Sequence, residues 1–130
     1  MILVDTSAWV EYLRGTGSPT HQKLRALIFD GARLATTDPI RMEILCGARD
    51  KSHAGQLRRM LNALDHRGAM GTDFDEAARI YRECRMAGKA VRSLMDCFIA
   101  AVALREGMTV LARDRDFEAI RKVTGLELEG

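Results

Sequence analysis

The chain begins with Met1-Ile2-Leu3-Val4-Asp5-Thr6-Ser7-Ala8-Trp9, an apolar run that ends in an acid and two hydroxyl side chains. Four apolar residues without polar alternation predict a strand buried on both faces, as in a parallel sheet. Ligands of open parallel α/β sheets bind beyond the carboxyl ends of the strands. Asp5 therefore has two open interpretations: it caps the N-terminus of the following helix, or it binds a hard metal ion.

The size and composition of the chain predict one domain over residues 1–130. The apolar fraction is 47% and the charged fraction is 29%, as in ordinary soluble proteins. No apolar run approaches the roughly 18 residues of a membrane span, and no leader precedes Asp5, so we expect a cytoplasmic protein without a membrane partner. Cys46, Cys84 and Cys97 fit neither a disulfide framework nor a zinc site, and we expect them in the core.

Helical and strand-like segments alternate along the chain. The predicted strands after the first are Ala32 to Thr36, Ala69-Met70, Met108 to Ala112 and Leu126 to Leu128. The predicted helices are Ser7 to Arg14, Thr20 to Phe29, Asp38 to Gly47, Lys51 to Asp65, Asp73 to about Gly88, Ser93 to Glu106, and a short one from Phe117. This alternation predicts an α/β fold, a mostly parallel sheet covered by helices on both faces.

Three helix starts have specific capping signals. Asp38 is the predicted N-cap of a helix with Pro39 at its first position. Asp73 is the predicted N-cap of the arginine-rich helix, with Glu76 completing a capping box. Ser93 is the predicted N-cap of the long apolar helix.

Acids recur where the predicted structure does not fully explain them. Asp114 and Asp116 follow the strand that ends at Ala112, at the same sheet edge as Asp5. Asp96 suits the third position of the helix capped by Ser93, but its neighbours from 94 to 104 are otherwise apolar. Its helix turn must therefore be partly buried, and a buried carboxylate needs a partner.

Glu43 lies in a helix whose charged residues besides Asp38 and Glu43 are limited to Arg41. Two interpretations remain open for it. Glu43 pairs with an arginine such as Arg41 or Arg14, or it faces the other acids with a cation between them.

Clustered carboxylates repel one another, so a cluster of these five acids would require a cation. Oxygen ligands favour Mg²⁺ or Mn²⁺ over zinc, and His21, His53 and His66 have no metal-ligand spacing. Setting five acids aside leaves 13 acids against 20 basic residues, which is +7 outside the cluster. A basic surface around an acidic site suits a polyanion whose phosphate meets metal ions.

Four motifs in register resemble the PIN-domain ribonucleases, and more closely the VapC-type toxins of bacterial toxin–antitoxin pairs. They are Val4-Asp5-Thr6-Ser7, Glu43 in the helix after the second strand, Asp96-Cys97-Phe98-Ile99-Ala100-Ala101 and Leu111-Ala112-Arg113-Asp114-Arg115-Asp116-Phe117. The resemblance covers essentially the whole chain. One departure is Ala112, where the family often has threonine, which removes a hydroxyl group but no carboxylate.

The resemblance implies a three-layer α/β/α sandwich, Mg²⁺ or Mn²⁺ at the acids, and sequence-specific cleavage of a structured RNA, commonly tRNA, that inhibits translation and growth. It also implies a homodimer and a cognate VapB-type antitoxin. The antitoxin's C-terminal segment would follow a groove of the early helices, here the helix from Ser7 and the amphipathic helix Lys51 to Asp65, and place an arginine in the acidic site.

We hypothesise roles for the five acids and their neighbours. Asp5 and Asp96 hold the principal metal ion, Asp114 and Asp116 support it or complete a second site, and Glu43 positions or deprotonates the attacking water. Thr6 or Ser7 orients a carboxylate or a metal-bound water, and Ser7 is also a candidate substrate contact. The candidate phosphate contacts are Arg79, Arg82, Arg85, Lys89 and Arg92.

Two other function classes compete with this interpretation. A catalytically silent PIN-like module that binds nucleic acid or protein would keep the fold without turnover, but all the expected acids are present. A phosphotransfer receiver domain would need a lysine after a late strand, where this chain has Arg113 and the acidic pair.

Overall fold

A computed structural model describes residues 1–130. The strands are β1 Ile2–Val4, β2 Leu34–Thr36, β3 Asp65–His66 and β4 Thr109–Leu111. The helices are α1 Thr6–Arg14, α2 Pro19–Phe29, α3 Asp38–Cys46, α4 Lys51–Asn62, α5 Gly71–Met86, α6 Leu94–Glu106 and α7 Asp116–Val123. Most elements lie where the sequence predicts them, with ends shifted by one to three residues.

The four strands form one parallel sheet in the order β3-β2-β1-β4. In the register of the central strand, Leu3 lies beside Ala35 of β2 and beside Val110 of β4. The predicted parallel sheet flanked by helices is confirmed. Because β1 is central, the residue that follows it, Asp5, lies between the ends of two neighbouring strands.

Helix α6 forms the middle of the core. Every residue from Cys97 to Ala103 is buried, which explains why its sequence is apolar on all sides. It packs against α5 and α7, where Ile80 and Ile120 are completely buried. Each large apolar side chain buried in this way contributes roughly 1.5–3 kcal/mol, so the first turn of α6 is held firmly in place.

The predicted capping role of Asp38 is wrong. Helix α3 begins at Asp38 itself, and Thr37 is the N-cap without a side-chain capping bond. The Asp38 carboxylate instead accepts a hydrogen bond from the Ala69 backbone N–H at 2.9 Å and lies 3.0 Å from His66 Nε2. The acid thus stabilises the loop after the edge strand, a tertiary contact that local sequence does not indicate.

The predicted capping box of Asp73 and Glu76 is also wrong. Helix α5 begins at Gly71, so Asp73 is its third residue, and the Asp73 carboxylate accepts a hydrogen bond from the Met70 backbone N–H. Glu76 pairs with Arg79. Asp73 thus occupies the third helical position of a capping box, where its carboxylate satisfies the backbone N–H of the N-cap residue Met70.

Two short strands differ from prediction. The third strand is Asp65–His66 rather than Ala69-Met70, and α4 ends three residues before the predicted Asp65. Pairing of His66 with Thr36 defines this strand, because its own residues carry no apolar pattern. The predicted strand at 126–128 is reduced to a single parallel bridge between Val110 and Leu128.

The cysteines differ in their surroundings. Cys84 and Cys97 are buried as predicted, whereas Cys46 at the end of α3 is exposed, which corrects the expectation for that residue. None of the helices combines the length and the apolar composition that crossing a bilayer requires.

Candidate active site

Three carboxylates converge at the carboxyl edge of the sheet. One carboxylate oxygen from each of Asp96, Asp114 and Asp116 lies within 4.8 Å of the other two. These three residues form the acidic triad. Two oxygens on opposite sides of a Mg²⁺ ion are roughly 4 Å apart, so the triad fits a single hard cation with small adjustments. Asp96 and Asp116 are buried, and Asp114 is half-buried.

Asp96 is the most perturbed acid of the triad. Burial, a shared contact with Asp114 and the nearby charges of Asp5, Asp114 and Asp116 raise its pKa to about 9. Its Oδ2 atom is buried without any hydrogen-bond partner. Ser93 caps the helix through the Asp96 backbone N–H as predicted, but the carboxylate itself is left unsatisfied. An unpaired buried carboxylate among other acids is the environment that a cation would stabilise.

The other two acids of the triad are held by backbone groups. Asp116 Oδ2 accepts hydrogen bonds from the N–H groups of Arg92 and Ser93 at 3.0 and 2.9 Å. Asp114 Oδ1 accepts one from the Asp116 N–H at 2.9 Å. These bonds connect the start of α6 to the start of α7, so the triad is positioned by two helices at once.

Asp5 is the N-cap of α1 and a neighbour of the triad at the same time. Its Oδ2 accepts hydrogen bonds from the Ser7 N–H at 3.0 Å and the Ser7 hydroxyl at 2.6 Å. Burial raises the pKa of Asp5, the Ser7 bonds partly offset this, and the charge of Asp114 adds to it. The two interpretations of Asp5 are therefore compatible, although Asp5 is not part of the compact triad.

The Ser7 hydroxyl both donates and accepts a hydrogen bond. It donates to Asp5 and accepts a hydrogen bond from the Arg113 N–H at 2.9 Å. Ser7 thus joins the end of β1 to the loop that carries Asp114. This arrangement supports the predicted orienting role and leaves little hydrogen-bonding capacity for a substrate.

Glu43 makes no ion pair with Arg41 or Arg14. Its Oε1 accepts a hydrogen bond from the Thr6 hydroxyl at 3.1 Å. Burial raises the pKa of Glu43, the Thr6 bond lowers it, and the charge of Asp5 raises it further. Glu43 therefore lies beside Asp5, as the second of its two predicted interpretations requires.

The predicted phosphate contacts are divided by their environments. Arg79 forms ion pairs with Glu76 and Glu83 on its own helix and is not free to bind phosphate. Arg82 and Arg85 are exposed on α5, and Lys89 is half-buried. Arg92 is 73% exposed, and its Nε lies 3.9 Å from Asp116 Oδ1. Of this set, Arg92 is the one in direct contact with the triad.

Sequence reasoning missed the basic residues Arg113 and Arg115, which flank Asp114. Both are exposed and line a groove beside it. The alternating Arg113-Asp114-Arg115-Asp116 motif indicates these arginines, because each stands next to a candidate site acid in the sequence. From the sequence, only the acids of this motif are assigned roles.

Two clefts lie between the early helices. One of about 340 Å³ lies between α1, α3 and α4, with Thr6 and Glu43 in its lining. The other, of about 480 Å³, is mostly apolar. Trp9 lines both, so the two clefts adjoin, and the smaller one reaches Glu43.

Comparisons with known proteins agree with this geometry. Residues 2–123 match the family model described as PIN domain. The chain is 47% identical to "VapC ribonuclease Mb1587" of Mycobacterium bovis and to "Ribonuclease VapC11" of Mycobacterium tuberculosis, over 98% of this chain and 96% of each relative.

Solved structures share the fold. A DNA-bound VapBC from Salmonella typhimurium superposes with a TM-score of 0.77 at 18% identity, covering 98% of this chain and 96% of that one. VapC20 from M. tuberculosis, described as a sarcin-ricin loop cleaving toxin, has a TM-score of 0.64 at 19% identity, with 92% and 94% covered. The family match, the near-full-length relatives and the acids at the sheet edge show that this chain belongs to the PIN-domain family, among the VapC ribonucleases.

Proposed function

We propose that the protein is a divalent-metal-dependent endoribonuclease that acts as the toxin of a toxin–antitoxin pair. The acidic triad carries this proposal: three carboxylate oxygens lie within 4.8 Å, and Asp96 Oδ2 is buried with no partner. This donor set of oxygens suits Mg²⁺, with Mn²⁺ as a substitute. Asp96, Asp114 and Asp116 would hold the ion, and Asp5 beside them completes the site or a second one.

The reaction is hydrolysis of an RNA phosphodiester bond. Bound divalent ions would lower the pKa of a water molecule and stabilise the leaving oxygen. Glu43 is half-buried with a raised pKa, which suits it to accept a proton from the attacking water. Thr6 holds Glu43 and Ser7 holds Asp5 through hydrogen bonds, and Arg92, beside Asp116, would contact the substrate phosphate.

The substrate we propose is a structured RNA, with tRNA as the first candidate, whose cleavage inhibits translation and growth. The basic surface outside the acids supports a nucleic-acid substrate. The choice of RNA over DNA comes from the family, because this chemistry does not use the 2′-hydroxyl group.

We also propose a VapB-type antitoxin as partner. The two adjoining clefts support this, since a segment that fills them reaches Glu43. A basic residue at the end of such a segment would neutralise the acids in place of the metal ion. Mixing the antitoxin with the enzyme should then abolish cleavage, and Glu43 should become protected from chemical modification.

A homodimer is the proposed assembly of the free chain. On α5 and α6 the side chains of Phe74 and Leu94 are 65% and 58% exposed and line an apolar depression together with Phe98. Self-association would remove this surface from water. Sedimentation velocity of the wild type and of Phe74→Glu tests it: a wild-type monomer would contradict the dimer.

The decisive experiment for the nuclease function compares induced wild type with Asp5→Asn in a bacterial host, with RNA ends mapped in both. Asparagine keeps a capping oxygen for α1, so the fold is retained. We expect growth arrest with one discrete set of cleaved RNAs in the wild type and neither in Asp5→Asn. Asp75→Asn, an exposed acid on α5, is the matched control and should behave as wild type.

Two outcomes would contradict the proposal. Normal growth of both strains with folded protein accumulating would favour the silent binding module. Cleavage by the purified enzyme that persists in excess EDTA would exclude the metal-dependent mechanism.

A further inference from the structure

A polar groove of about 400 Å³ lies between the start of α2 and the loop from β4 to α7. Its lining comprises Pro19, Thr20, Ala112, Arg113, Asp114, Arg115, Phe117, Glu118 and Leu128. Asp114 belongs to both this groove and the acidic triad, so the groove leads directly into the candidate metal site. Its volume falls within the roughly 300–1,000 Å³ of small-ligand sites.

The charges of this groove favour an anion once the triad holds a cation. Glu118 is paired with Arg121 at 2.9 Å, and a divalent ion would neutralise Asp114. Arg113 Nη1 lies 3.2 Å from Glu11, whereas Arg115 is exposed and makes no ion pair. A free guanidinium suits a phosphate because its planar donors can bind two oxygens together.

The groove and the 89–93 segment contact different members of the triad. Asp116 receives the backbone N–H groups of Arg92 and Ser93, whereas Asp114 faces the groove. An exposed arginine therefore lies near each of these two acids, Arg92 beside Asp116 and Arg115 in the groove that Asp114 lines. A polynucleotide whose reacting phosphate lies at the triad needs such contacts for the phosphates on either side.

We infer that this groove binds the nucleotide adjoining the scissile phosphate, and that Arg115 contacts its phosphate. The ligand class is an unpaired RNA segment, since a groove of this size admits a single strand with its base turned out of any stack. The inference rests on the proposed ribonuclease function and adds a substrate-binding residue outside the acids.

The test measures the affinity of Asp5→Asn protein, which should not cut RNA, for the RNA that is cleaved in cells. The RNA carries a fluorophore label. Adding Arg115→Ala should weaken binding about three- to tenfold and reduce the slope of log K against log salt by about 1. In otherwise wild-type enzyme the same change should raise KM and leave kcat unchanged. Arg115 makes no capping bond, so its removal leaves α7 intact.

Arg58→Ala is the matched control, because Arg58 is an exposed arginine on α4 without an ion pair. Equal affinity and equal salt slope for the Arg115 and Arg58 variants would overturn the inference. Arg115→Lys keeps the charge and should restore part of the affinity. If induction of the wild type cleaves no RNA in cells, the proposed ribonuclease function fails instead, so the two failures are distinguishable.

Discussion

Two buried aspartates occupy the third position of their helices, Asp73 in α5 and Asp96 in α6. Asp73 receives two hydrogen bonds from the Arg105 guanidinium at 2.9 and 3.0 Å, and although burial opposes it, its pKa is lowered. Asp96 receives none on Oδ2 and faces three other acids, and its pKa is raised to about 9. The same helix position therefore holds one acid that is paired with an arginine and one that has no basic partner, and we expect a structural role for the first and a functional role for the second.

The largest expected difference between the two is in catalysis. Asp96→Asn should reduce kcat/KM more than about a hundredfold. Loss of a residue that only orients a metal ligand costs about 10- to 100-fold in affinity or activity, and loss of a direct ligand should cost more. Asp73→Asn should leave the activity of each folded molecule within about twofold, since Asp73 touches no group of the triad. Cleavage of the mapped RNA, normalised to folded protein by circular dichroism, measures both; similar losses would contradict the distinction.

The effect on stability should be reversed. Asp73→Asn removes the buried charge that Arg105 pairs with, leaving Arg105 its contacts to Glu106 and the Gly68 carbonyl, and should lower the free energy of unfolding by about 1–3 kcal/mol. This is less than the loss for a fully buried pair, because 27% of the Arg105 side chain is exposed. Asp96→Asn should stabilise the metal-free protein above about pH 4, because an amide avoids the cost of protonating or burying a carboxyl whose pKa is raised by burial and by neighbouring acids. Urea unfolding in EDTA measures both, and destabilisation by Asp96→Asn would contradict this assignment.

A smaller effect is expected where a hydroxyl group positions an acid. Thr6→Val removes the donor to Glu43 without changing the volume of the side chain, and should lower kcat about tenfold with KM unchanged. Thr6→Ser keeps the hydroxyl group and should restore most of the rate. A merely structural role would change stability instead, so unchanged kcat in Thr6→Val would refute the positioning role.

A further difference between the two aspartates is the pH dependence of stability. Asp96, Asp5 and Glu43 have pKa values raised above their ordinary values, so their protonated forms favour the fold. For Asp96 that contribution is full below about pH 4 and is lost as the pH rises through about 9, and for Asp5 and Glu43 it is likewise lost as the pH rises. Asp73 acts oppositely, since its contribution is lost only below about pH 4.

Thermal unfolding in EDTA should therefore show lower stability at about pH 8 than at about pH 5, and Mg²⁺ should restore more stability at the higher pH. In Asp96→Asn this dependence should be flatter. Equal pH profiles of the variant and the wild type would show that Asp96 is not the acid responsible.

The sequence predicted the parallel sheet and the long apolar helix, because each leaves a local pattern, and it singled out five acids whose role in the site stays a prediction. It predicted a capping role for Asp73 but could not identify the ion pair with Arg105, since Arg105 lies 32 residues from Asp73 along the chain. The edge strand Asp65–His66 and the Asp38 contact with Ala69 likewise depend on pairing between distant segments. Each acid could be singled out from its local sequence. The grouping of Asp96, Asp114 and Asp116 without Asp5 could not, because it depends on how the helices pack.

The most direct test of the central claim is a titration of purified wild type and Asp96→Asn with Mn²⁺, followed by electron paramagnetic resonance. The unpartnered Asp96 carboxylate within the triad predicts saturable Mn²⁺ binding by the wild type, competed by Mg²⁺, and affinity lowered at least about tenfold in Asp96→Asn. Asp73→Asn should bind as the wild type does. Equal affinity in wild type and Asp96→Asn would contradict the assignment of the acidic triad as the metal site.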